Sequence, residues 1–108
     1  MYDFSLQSGV TVHTQLRVEK EIITSNKHIL IMRKDSGGTP YDNVACFDSQ
    51  GQILWTIEGY SAVGGDNPYI TLKIDDKGLL VGETWSGVHL IIDINTGKIL
   101  DLVKRRPW

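Results

Sequence analysis

Phe47-Asp48-Ser49-Gln50-Gly51-Gln52-Ile53-Leu54 and Ile92-Asp93-Ile94-Asn95-Thr96-Gly97-Lys98-Ile99-Leu100 are two renderings of one pattern. Each reads hydrophobic residue, Asp, short polar turn, Gly, polar residue, Ile-Leu. An Asp side chain in such a place accepts hydrogen bonds from backbone N–H groups two residues on. A Gly supplies the positive φ that closes the turn at no steric cost. Each stretch therefore predicts two antiparallel strands joined by a tight turn, with Asp48 and Asp93 as turn formers rather than catalysts.

The match continues upstream. Asn26-Lys27-His28-Ile29-Leu30-Ile31 lies against Asp76-Lys77-Gly78-Leu79-Leu80-Val81, and Glu21-Ile22-Ile23-Thr24 against Thr71-Leu72-Lys73-Ile74. The offset is 50 residues in the first two strands and 45 or 46 in the last two, because the first copy carries a longer loop at residues 35–42. Period-two hydrophobicity and turn residues set the strands at 21–24, 27–34, 43–48, 52–58, 69–75, 78–85, 88–94 and 98–103. Val10, Val12, Leu16 and Val18 alternate with polar residues and predict one further, half-buried strand. No window has helical periodicity. The expected fold is all-β: two antiparallel four-stranded meander units plus an N-terminal strand at an edge or across the interface, packed as one domain. Residues 1–19 form the N-terminal strand, 20–60 the first unit, 69–103 the second and 104–108 a basic tail. Two facing sheets would share one core, with Ile53, Trp55 and Ile57 on its side, Leu54 opposite, and Ile99 and Val103 buried.

A chain of 108 residues is long enough to bury one core without staples. The net charge of −2 hides an uneven distribution. Lys104, Arg105 and Arg106 are three of the 11 basic residues, so the rest of the chain sets eight basic against 13 acidic residues. An acidic body is a poor match for nucleic acid, whose phosphates need a basic face, and a good one for a basic protein partner. Cys46 is the single cysteine, which points to a reducing compartment. The N-terminus lacks the pattern of a signal peptide, and no apolar run approaches the length of a membrane helix. A cytoplasmic protein is expected.

A period near 45 residues with four strands per period resembles the blades of quinoprotein-type β-propellers, whose turns read Asp-x-x-Thr-Gly-Lys before a hydrophobic strand, as Asp93 to Leu100 does here. Two units do not close a ring, so the resemblance implies a two-blade module. The run Thr84-Trp85-Ser86-Gly87-Val88-His89-Leu90-Ile91-Ile92-Asp93 through Ile99 is similar to the tails of immunity proteins of bacterial toxin systems, including those of contact-dependent growth inhibition. That resemblance implies a cytoplasmic, non-enzymatic, tight-binding inhibitor.

Topology points to a surface. In a meander, alternate loops share an end, so residues 35–42, 58–68 and 85–87 are expected together, opposite the minimal turns. Binding residues collect on long loops above a rigid scaffold. The partner-binding candidates are Asp35, Tyr41, Asp42, Glu58, Tyr60, Asp66, Asn67, Tyr69, Glu83 and Trp85. Tyr and Trp are enriched in interface hot spots, and carboxylates steer a basic partner. The partner expected is a basic nuclease toxin, neutralised by covering its active site. The alternative is an assembly module whose sheet edges pair into a larger ring.

Catalytic and cofactor chemistry find little footing. His13, His28 and His89 lack metal-ligand spacing and there is no Cys pair, so no metal site is expected. Cys46 sits inside a strand as a small hydrophobe. Gly37-Gly38-Thr39 and Gly64-Gly65-Asp66 precede no helix that would cradle phosphate. No cofactor and no enzymatic activity are expected.

Overall fold

The computed structural model describes residues 1–36, 38–40, 42–59 and 68–103; in the last strand the Val103 side chain lies outside this description. Ten strands run in order: β1 (Tyr2–Ser5), β2 (Thr11–Thr14), β3 (Arg17–Thr24), β4 (Lys27–Arg33), β5 (Val44–Asp48), β6 (Ile53–Thr56), β7 (Tyr69–Ile74), β8 (Leu80–Thr84), β9 (His89–Ile92) and β10 (Ile99–Val103). They form a β1–β2 hairpin and two antiparallel four-stranded meanders, β3-β4-β5-β6 and β7-β8-β9-β10. The protein is all-β, and among the described residues no helix is long and apolar enough to cross a membrane.

The turns form as the sequence pattern requires. Asp48 Oδ1 accepts from Gln50 N at 2.9 Å and Asp93 Oδ1 from Asn95 N at 2.9 Å. Asp75 does the same for Lys77 N. These carboxylates are spent on backbone N–H groups.

Three layers stack on one another. Ile29, Ile31, Val44 and Cys46 alternate along β4 and β5 and face the second sheet, meeting Leu72, Leu80, Leu90 and Ile92 in the main core. Leu30, Ala45 and Phe47 point the other way, where Leu6 and Val12 of the hairpin cover them in a second core. Burial on both faces explains why β4 and β5 read as near-continuous apolar runs instead of alternating. Between the sheets, Trp55 donates its indole N–H to Ile94 O at 2.9 Å. A Cβ on Gly97 would lie 2.5 Å from the Trp55 ring, so only glycine lets the β9–β10 turn sit on that indole. Gly82 in β8 is likewise overlain by the Tyr69 ring, 2.7 Å from where its Cβ would be.

The N-terminal region is a hairpin rather than one strand from Val10 to Val18. Thr14 donates its hydroxyl to Leu16 O at 2.6 Å, and this local bond turns the chain between β2 and β3. Val18 then belongs to the first meander. Ile53 is 58% exposed instead of buried. The register passes from Cys46↔Trp55 to Phe47↔Ile53, so Leu54 is a bulged residue that turns Ile53 out of phase with Trp55 and Ile57. Trp55 and Ile57 are buried and Ile99 is partly buried against the core, as expected.

The bulge has counterparts. Register shifts also fall at Glu19 in β3, Ile70 in β7 and Leu100 in β10, whereas the inner pairs β4–β5 and β8–β9 are regular. β3, β6, β7 and β10 are the edge strands of the two meanders. Each meander edge therefore carries one unpaired extra residue.

Candidate functional site

Pro68, just before β7, and the β8–β9 turn come together. Trp85, in the turn between β8 and β9, donates its backbone N–H to Pro68 O at 2.9 Å. Gly87 closes that turn with φ of 85° and an N–H to Thr84 O at 2.9 Å, which leaves the Trp85 side chain at the tip, 74% exposed. Beside it opens a groove of about 380 Å³, running between the end of β4 and the start of β7. Ile31, Asn43 and Tyr69 form its floor, and Trp85, Lys34 and the Glu19–Arg33 ion pair (2.9 Å) its rim. Both polar atoms of the Asn43 side chain in this floor are engaged. Its amide donates to Met32 O and Tyr69 O at 2.8 and 2.9 Å and accepts from Tyr69 N at 2.9 Å.

The candidate residues scatter around this groove. Trp85 lies on the rim, and Asp42 is exposed nearby in sequence, with no hydrogen bond or ion pair among the described residues. Asp35 is committed elsewhere: it accepts from Arg17 Nε at 2.7 Å and from the Tyr2 hydroxyl, tying the hairpin to β3. Glu83 faces His89, 3.4 Å from its Nε2, and accepts from the Thr71 hydroxyl at 3.5 Å. Tyr69 is not a loop residue on show. It is 2% exposed, its ring is packed on Gly82 and its hydroxyl donates to Glu58 O at 2.9 Å. Burial pushes its phenol well above the ordinary range, with the Glu58 charge adding to the effect. Tyr41, Tyr60, Asp66 and Asn67 lie outside the described residues.

Glu58 departs from the expected arrangement of ends. Its N–H donates to Gly97 O at 2.8 Å and its carboxylate accepts from Ile99 N at 2.8 Å. The loop end of the first sheet thus meets a minimal turn of the second, so the sheets do not stack with all their long loops flush. Arg33 and Lys34 stand on the rim of this groove, and the Asp35 and Glu58 carboxylates are engaged with Arg17 and Ile99 N.

A second constellation went unread in the sequence. His28 has a side chain only 5% exposed, with Nδ1 2.6 Å from Glu21 Oε2 and Nε2 3.2 Å from Ser49 Oγ. A carboxylate, an imidazole and a hydroxyl in that order match the connectivity of a hydrolytic relay. Such chemistry also needs oxyanion donors, and three backbone N–H groups of this turn are already taken. Gln50 N and Gln52 N donate to Asp48 Oδ1, and Gly51 N to Asp48 O. Instead the cluster holds the hairpin: Gln7 N donates to Glu21 Oε2 at 3.1 Å and the Ser8 hydroxyl to Ser49 O at 2.8 Å. Strand spacing alone would have placed Glu21 near His28, since both flank one short turn; Ser49 arrives only through the β4–β5 pairing. Among the described residues no three His, Cys, Asp or Glu side chains gather as metal ligands.

Residues 7–104 match the family described as Domain of unknown function (DUF7957). No curated protein and no solved structure matches the chain.

Proposed function

We propose that this chain, which belongs to that DUF7957 family, is a non-enzymatic protein-binding domain that neutralises a bacterial toxin by covering it with the Trp85 end. The observation that carries the reading is Trp85 itself. A large aromatic side chain 74% exposed on a backbone pinned to Pro68 is a pre-positioned anchor, and it stands beside a groove with an apolar floor. Rigid aromatic anchors dominate interface energetics. The acidic body supports a basic partner, since charge steers encounter over longer range than contact does. The similarity of residues 84–99 to toxin immunity tails supports the choice of toxin as the partner class.

The test is a binding and inhibition assay with the product of the neighbouring gene. A 1:1 complex that abolishes the toxin's activity is expected. Trp85→Ala should weaken it by roughly tenfold or more, about 1.4 kcal/mol or above. Absence of any complex would sink the proposal. Ring assembly through sheet edges has the four bulges against it, because a bulged edge does not offer a regular ladder to a neighbour. Sedimentation should give a monomer near 12.1 kDa, and a ring-sized species would favour the assembly reading instead.

A further inference from the structure

We infer that the groove beside Trp85 takes a loop of the partner protein, and that this loop presents one large apolar side chain next to a carboxylate. The inference rests on the protein-binding reading and names the chemistry of the contact. Size comes first: about 380 Å³ is near the lower limit of small-molecule sites, which suits one anchoring side chain. The floor supplies the second argument. Met32, Pro68 and Ile70 are partly buried apolar side chains along it, over a floor closed by Ile31, Tyr69 and an Asn43 amide already engaged at both of its polar atoms, so the groove rewards an apolar group.

Charge complementarity supplies the third. On the rim, Arg33 is neutralised by Glu19, whereas Lys34 has no ion pair among the described residues. The Trp85 indole N–H also has no acceptor among them. Among the described residues that line the groove, one unpaired cation and one unpaired donor beside an apolar pit select an anion adjoining the apolar group. The local sign is thus opposite to that of the acidic body: the body steers a basic partner, and the groove receives an acidic spot on it. The backbone excludes a strand as the occupant. Glu19 and Ile70, the bulged residues of β3 and β7, both line the groove, so neither flanking strand offers a regular ladder.

The experiment needs no partner. The intact protein is titrated with 3-phenylpropionate and with 3-phenylpropan-1-ol, followed by amide and indole nitrogen–proton NMR. Expected are shifts centred on the Trp85 indole N–H and the Asn43 side-chain amide, with the acid binding about three- to tenfold tighter than the alcohol. Lys34→Gln should bring the two probes to parity, and Trp85→Ala should remove both responses while the remaining spectrum overlays that of the wild type. No response at about 10 mM, a response elsewhere on the molecule, or an alcohol that binds as well as the acid would overturn the inference. Probe binding without a toxin complex would count against the toxin alone, and a toxin complex without probe binding would count against the groove alone.

Discussion

The Tyr69 ring lies across Gly82 and its hydroxyl reaches Glu58 O, so one side chain touches the second sheet and the segment that leaves the first. It also shares a core with Cys46, whose thiol burial pushes up to about 11 from an ordinary 9.0. Both groups stay neutral in the fold where the unfolded chain would ionise. Their contribution is complete below the unfolded values of 9.0 and 10.0, and is lost as pH rises through the raised ones. Thermal midpoints followed by circular dichroism should be level up to about pH 9 and fall between there and about pH 11. Cys46→Ala should flatten the first part of that fall. The position of Tyr69 was not legible from the sequence. It follows a run of Gly, Asp, Asn and Pro that reads as loop, and Gly82, the residue that makes room for its ring, lies a whole strand away. Trp55 was legible because its own strand alternates around it.

At the level of elements, the hairpin and the edge bulges are what pattern-reading missed, for different reasons. Both meanders and their turns follow from local chemistry, Asp and Gly at fixed spacing, and could be read directly. The hairpin could not, because Val10 to Val18 keeps its alternation through the very point where Thr14 bonds Leu16 O. A bulge leaves no one-dimensional signal at all, since it exists only relative to a neighbouring strand. Yet the bulges at Leu54 and Leu100 fall at equivalent places in the two copies, as the shared Ile-Leu of the opening pattern requires. The part-buried Glu21–His28 contact helps hold the hairpin on the first sheet. His28→Ala leaves the Glu21 carboxylate with the Gln7 N–H alone and frees Ser49, and should cost about 2 kcal/mol. Urea unfolding would measure that loss. Faster exchange of the Gln7 amide, which donates to Glu21, would locate it.

For the whole molecule, the candidate site was legible in part. Loop position drew attention to Trp85, which is 74% exposed, but not to the engagement of Asp35 and Glu58. Which carboxylates stay free depends on partners such as Arg17 and Ile99, which lie far off in the chain. The way the two sheets are joined has a larger consequence. Asn43 grips Tyr69 by both its backbone N–H and its carbonyl, in the manner of a strand pairing carried out by one side chain. Together with Trp55 on Ile94 and Glu58 on Gly97 and Ile99, this makes the second meander a ligand of the first, bound through specific groups and one shared core. A covalent connection between two such halves raises their effective concentration. Residues 1–59 and 68–108, prepared as separate polypeptides, should show little native circular dichroism from the second piece alone and regain it on mixing. A second piece that folds unaided would mean that the halves are independent. In those terms the protein is a complex of two complementary halves that happen to share one chain.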